Sequence, residues 1–193
     1  EQTMKKLEEK WVFQSFPSKS SSNAHKKRAE LMLDNYLAWQ SSTKNKVVVT
    51  EDDFSFEYEG VTINGRFDWI EQNPAGELEV VDFKSGLYPP SGEKWDKDPQ
   101  LYIYARGVKE SDNPKLGKLP VRGSLYYFEL VTPRSPAGTW KTKDFDQQVI
   151  ERFFENEIKP VIKKIINEEF DPNPGQQCSR CPYLSICDAG QSA

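Results

Sequence analysis

In the stretch GRFDWIEQNPAGELEVVDFKSG, three residues have the types and spacing for phosphate chemistry: Asp68, Asp82 and Lys84. Asp82 and Lys84 are two apart, so in an extended strand they point to one face while Val81 and Phe83 point to the other. If the chain reverses about Ala75 in the turn-rich NPAG, Asp68 falls opposite Asp82 on the neighbouring strand. Like charges facing each other across strands are destabilising, and Phe67, Trp69, Val80 and Val81 make these strand ends partly buried, which raises the cost. A cation must compensate. Lys84 neutralises one carboxylate; a divalent ion held by both, and completed by a backbone carbonyl such as that of Phe83, accounts for the pair. Hard oxygen ligands select Mg or Mn. Such an ion activates water and offsets charge on a phosphate, while the lysine stabilises charge building at the attacked phosphorus. That is the chemistry of phosphodiester hydrolysis. Taken singly, an Asp-x-Lys triplet occurs often by chance, and a strand-end Asp is usually a turn former or a surface charge.

Two further sets could take part. Gln100 and Tyr104 are four apart at the start of a short helix and share a face, from which they could order the lysine or reach a phosphate; the other reading packs Tyr102 and Tyr104 as core. Cys178, Cys181 and Cys187 form C-x2-C-x5-C in a proline-punctuated tail. Thiolates so spaced suit zinc or an iron–sulfur cluster, both of which want a fourth ligand, or they are ordinary free thiols. The single histidine, His25, lies beside Lys26, Lys27 and Arg28 and reads as part of a solvated or phosphate-facing surface.

These residues need elements to hold them. Met4, Leu7 and Trp11 share helical spacing; Ser15 to Ser22 reads as a loop; and a second helix runs from about Ala24 to Gln40, capped by Ser22 or Asn23. VVVTEDDFSFEYEG and VTINGRFDWIE alternate as half-buried strands, with Phe54, Phe56 and Tyr58 on one face, and Glu77 to Phe83 forms a hairpin with the second of them. Asp98 and Pro99 open the helix PQLYIYARGV, and SLYYFELV is a further strand. Phe145 to about Phe170 is a long amphipathic helix kinked near Pro160. The expected division is one domain: an N-terminal helical part at 1–45, a catalytic core at 46–170 and a cysteine tail at 171–193.

Composition bounds the reading. The 193 residues are 36% hydrophobic and 29% charged, and no apolar window reaches the roughly 18 residues of a spanning helix, so no membrane partner is expected. With 26 Lys and Arg against 30 Asp and Glu the net charge is −4, so DNA would be held by a local patch or through metal ions. Three cysteines confined to the tail make no disulfide framework, which places the protein in a reducing compartment, the cytoplasm. The start, EQTMKKLEEKW, has no initiator Met and no signal peptide, and reads as a cut from a longer protein.

Taken together, GRFD, VVDFKSG, DPQLYIYA and QCSRCPYLSIC, in this order and spacing, resemble the RecB-family exonucleases of the PD-(D/E)XK superfamily, in particular the nuclease domains at the C-terminal ends of UvrD-like helicases. The resemblance covers about Ala24 to Cys187. It implies a restriction-endonuclease-like α/β core, a mixed central sheet flanked by helices. It also implies Asp68 and Asp82 as metal ligands, Lys84 as the catalytic lysine, and Gln100 and Tyr104 as an accessory motif. Cys178, Cys181 and Cys187 resemble the last three ligands of a 4Fe-4S cluster. DNA would be the substrate and a helicase domain the partner, in recombination or repair. Such domains carry the first cysteine and a Gly-x-x-x-His segment upstream of where this chain begins, and His25 lacks that glycine context. The rival reading is a catalytically inactive nuclease fold serving as a DNA-binding or scaffolding module; a zinc-ribbon-like binding protein is a weaker third.

Overall fold

The computed structural model describes residues 2–192. Five strands form one sheet in sequential order: β1 (Lys46–Tyr58), β2 (Val61–Gln72), β3 (Leu78–Lys84), β4 (Arg122–Tyr127) and β5 (Thr139–Asp144). The β1/β2, β2/β3 and β4/β5 pairs are antiparallel and β3/β4 is parallel, which makes the sheet mixed as expected. The parallel step requires a crossover, and it is made by the short helix α3 (Glu93–Asp96) and by α4 (Gln100–Glu110). The helices α1 (Gln2–Lys10) and α2 (Lys19–Ser42) precede the sheet; α5 (Gln147–Phe153), a π-helical turn at Phe154–Ile158 and α6 (Lys159–Ile166) follow it. Among the described residues no helix is long and apolar enough to cross a membrane.

Strand alternation sorts the core into two layers. Phe54, Phe56, Tyr58, Val80, Leu125 and Tyr127 pack with Leu101 and Ala105 of α4 and with Ile150 and Phe154 further on. Val81 and Tyr126, the odd member of β3 and the even member of β4, join Trp69 and Trp39 of α2 on the opposite face. The β1/β2 turn has two residues, Glu59 and Gly60, with φ of 50° and 80°, the double left-handed conformation that matches strand twist. The β2/β3 turn is held by Asn73, whose Oδ1 accepts the N–H groups of Ala75 and Glu77, both at 3.0 Å. Its register pairs Gln72 with Leu78 and Trp69 with Val81, the reversal about Ala75 that the sequence suggests.

Several boundaries differ from expectation for physical reasons. Helix α2 starts at Lys19, earlier than Ala24, and its cap is Ser18, whose side chain accepts the Ser21 N–H. The serine run is therefore helix rather than loop. A tertiary bond overrides its weak propensity: the indole N–H of Trp11 donates to the buried Ser22 hydroxyl at 2.9 Å and ties the first two helices together. Strand β4 ends at Tyr127, short of Val131, because its antiparallel partner begins at Thr139 and the intervening chain must turn back through Pro133, Pro136 and Gly138. Strand β5 itself is unexpected: TWKTKD is short and polar, as an edge strand is. The interruption near Pro160 is the π-helical turn, where the Lys159 N–H reaches the Phe154 carbonyl just before a residue with no N–H to donate. Among the described residues the tail holds two short 3-10 helices, Gln176–Arg180 and Leu184–Ile186, and α7 (Asp188–Gln191).

Helix α4 lies close on the sheet because Gly107 has no side chain; a Cβ there would stand 2.7 Å from the Phe54 ring. In Gly107→Ala the gain in helix propensity, about 1 kcal/mol, is outweighed by overpacking of about 1–3 kcal/mol. We expect a lower urea midpoint for this variant; a midpoint at or above that of the parent would show that the Phe54 ring yields freely.

Candidate active site

Strand β3 leaves the core at its C-terminal end, and its backbone alternation determines what lies there. The Leu78 carbonyl accepts from Val121 at 2.9 Å and the Lys84 carbonyl from Phe128 at 3.2 Å, so the even residues of β3 turn their polar groups toward β4. The odd residues therefore turn theirs toward β2, whose pairing ends at Trp69 and Val81. Past that point the Phe83 N–H has no strand partner, and Asp68 Oδ2 accepts it at 2.9 Å. The Phe83 carbonyl faces the same gap.

Asp68 sits where β2 changes phase. Phe67 packs with Phe54 and Tyr104 on the α4 face, Trp69 joins the Trp39 layer opposite, and Ile70 is back with the first. A regular strand would put Phe67 and Trp69 on one face. Across from this slip, between the pairs Thr50↔Trp69 and Asp52↔Phe67, Glu51 has φ 49°, a conformation unusual for a non-glycine residue. The sheet is thus irregular at the point where the Asp68 carboxylate is needed.

Asp82 is the most buried of the charged groups here, 2% exposed. Gln100 Nε2 donates to its Oδ1 at 2.7 Å, and the Tyr104 hydroxyl lies 3.4 Å from the same oxygen. Gln100 Oε1 accepts from Lys84 Nζ at 2.8 Å, and its Nε2 also reaches the Tyr104 hydroxyl at 3.2 Å. The loop closes through Lys84 Nζ, which pairs with Asp82 Oδ2 at 2.6 Å. Burial pushes the Asp82 carboxyl up from the usual carboxylate value; Lys84 opposes this and the charge of Asp68 adds to it. Burial also pushes the Tyr104 hydroxyl up, keeping it a donor.

The structure therefore brings Asp68, Asp82, Lys84, Gln100 and Tyr104 together at the C-terminal end of β3, in the middle of the sheet. Both readings of the tyrosine pair hold in part: Tyr102 stacks on Phe153 with ring centroids 3.7 Å apart, while Tyr104 packs its ring edge-on against Phe54 and Phe67 and turns its hydroxyl to Asp82. Pro99 is the N-cap of α4, one residue later than the sequence suggests, and Asp98 before it accepts the Gln100 N–H through Oδ1 at 3.0 Å. Tyr127, the buried register partner of Lys84, was not legible as a neighbour, because a parallel partner lies across a crossover of unknown length in space.

The two carboxylates, with Asp82 Oδ2 paired only to the Lys84 ammonium, and the Phe83 carbonyl make a set of hard oxygen donors that fits a divalent cation completed by water. No third His, Cys, Asp or Glu converges with them among the described residues. The cysteines fit their expected group less well. Cys178 Sγ accepts the Gly175 N–H at 3.3 Å and Cys187 Sγ the Gly190 N–H at 3.4 Å, but among the described residues no three cysteine, histidine or acidic side chains form a metal-holding set. The arrangement gives the iron–sulfur expectation no support. His25 is exposed, donating from Nδ1 to the Ser21 carbonyl at 2.8 Å, with no bond to this network.

Residues 1–188 match the PD-(D/E)XK nuclease superfamily. The chain belongs to this superfamily. Nucleases of the PD-(D/E)XK superfamily typically use divalent metal ions and hydrolyse phosphodiester bonds, and the geometry above is consistent with such a core. Among solved structures, the protein SSO0001 is similar with a TM-score of 0.47 and 20% identity, over 86% of this chain and 71% of that one. A protein from Eubacterium rectale described as a candidate exonuclease is similar with a TM-score of 0.45 and 14% identity, over 99% of this chain and 67% of that one. No curated protein matches the sequence.

The raised Asp82 carboxyl has a consequence for stability in metal-free protein. Its folded form holds the proton more tightly than the unfolded chain does, so its contribution is whole below the ordinary Asp value of about 4 and is lost as pH rises through the higher folded value. Asp82→Asn should flatten that part of the decline, while the buried Glu71, raised in the same direction, keeps its share. Urea midpoints at acidic and neutral pH read the difference; an equal decline in both proteins would show that Asp82 titrates normally.

Proposed function

We propose that this domain is a metal-dependent DNA nuclease, an exonuclease of the RecB type that works on ends or single strands delivered by a helicase in the same chain or complex, in recombination or repair. The observation that carries the catalytic part is the closed ring Lys84–Gln100–Asp82 beside the Asp68 gap. The exonuclease and helicase parts rest on the order and spacing of the four motifs.

In this reading Asp68, Asp82 and the Phe83 carbonyl hold Mg or Mn. The bound ion would lower the pKa of a water and offset negative charge on the phosphate. Lys84 presents its ammonium to the oxygens of the attacked phosphorus, where charge builds in the transition state. Gln100 holds that ammonium in place by accepting from it, and with its amide nitrogen holds Asp82. Tyr104 supports Asp82 from the helix side. The cysteine tail takes no part in the reaction; a 4Fe-4S cluster there would need a fourth ligand beyond Cys178, Cys181 and Cys187.

Digestion of end-labelled linear DNA, single- and double-stranded, with Mn or Mg tests this. Asp82→Ala and Lys84→Ala should each cut at least about 100-fold more slowly while remaining folded, and Gln100→Ala about tenfold more slowly. Chelation with EDTA should stop cutting and Mn should restore it. A covalently closed circle should be spared if the enzyme needs ends. Normal cutting by Asp82→Ala or Lys84→Ala would sink the assignment, and a parent that binds DNA without cutting it would favour the scaffolding alternative.

A further inference from the structure

The segment 85–99 joins the two halves of the network, since Lys84 lies before it and Gln100 just after it. Apart from α3 it has no regular structure, and it contains Gly86, Pro89, Pro90 and Gly92. A connector of this composition does not by itself determine where Gln100 sits. The backbone that follows must be anchored from elsewhere in the fold.

The anchor comes from the edge strand β5. Lys143 Nζ donates to the Trp95 carbonyl at 2.6 Å and lies 3.4 Å from the carbonyls of both Asp96 and Asp98. The ammonium stands between two aromatic faces, 4.4 Å from the Trp95 ring centroid and 4.3 Å from that of Tyr102. One of the rings belongs to the segment and the other to α4, so the cation ties the connector to the helix. Asp98, whose carbonyl it meets, uses its own side chain to accept the Gln100 N–H. We propose that Lys143 is a positioning residue of the site, fixing the Trp95–Asp98 backbone so that Gln100 enters α4 in register to bridge Lys84 and Asp82. A lysine suits the task because its ammonium carries three donors that can diverge toward three carbonyls, whereas the arginine fork is planar.

The inference rests on the nuclease reading for its kinetic arm only, and a second arm is independent of activity. In the kinetic arm, Lys143→Met should lower kcat about tenfold with KM within about twofold, since it removes positioning and leaves substrate contacts alone. Combined with Gln100→Ala it should cost no more than Gln100→Ala alone, because both act through one side chain. A general loss of stability would multiply the two effects instead. In the second arm, hydrogen exchange of the amides at 100–104 should be faster in Lys143→Met than in the parent, while the amides of the β1/β2 hairpin exchange alike. Unchanged exchange at 100–104 overturns the proposal whatever the activity, and unchanged kcat or multiplying losses overturn it where the parent cuts DNA. Should the parent cut no better than Lys84→Ala, the nuclease reading fails and the exchange arm alone decides. Lys143→Gln, which retains a donor, takes the place of the methionine variant if that does not fold.

Discussion

The burial of one carboxylate is the constraint around which this site is built. Asp82 lies at the end of the central parallel strand with almost no exposure, and a charge so placed is strongly unfavourable unless it is met by donors and a cation. Gln100 is the residue that reconciles the demands: its amide has both a donor end and an acceptor end, so it serves the acid and the lysine at once. Its donor and acceptor sit on separate atoms at the end of a long side chain, and asparagine, which shares that arrangement, is one methylene shorter. Because Gln100 comes from a helix and Asp82 and Lys84 from a strand, the network also specifies how α4 must cross the sheet.

The second structural condition is an opening between strands. Continued pairing of β2 with β3 beyond Trp69 and Val81 would consume the Phe83 N–H and carbonyl in the ladder. Instead the pairing stops, Asp68 takes the N–H, and β2 slips phase against a left-handed Glu51. The irregularity leaves a carbonyl and two carboxylates facing one gap, which a continuous sheet would not provide. Regular strand order frames the site, and its local failure leaves the Phe83 carbonyl outside the ladder.

Much of this was legible in the sequence, and the parts that were share a cause. The register of β2 against β3, the common face of Asp82 and Lys84, and the common face of Gln100 and Tyr104 follow from periods of two and 3.6 residues and from a short turn. What was misjudged depended on contacts between distant segments. Ser22 and its neighbours entered a helix because Trp11 bonds to Ser22; β5 formed because β4 offered it an edge; and the phase slip at Asp68 answers to Glu51 on another strand. None of these has a local signal.

The sequence by itself determined the residue types and the local spacings: a pair of acids reversed about a turn, a lysine two residues on, and a glutamine opening a helix behind a proline. The tertiary structure alone decided that Asp82, Lys84 and Gln100 meet in one ring and that the strands part beside them at Asp68. The reason is range. Backbone periodicity acts over a few residues, whereas the burial that makes Asp82 demanding, and the partners that satisfy it, exist only once helix and sheet have packed.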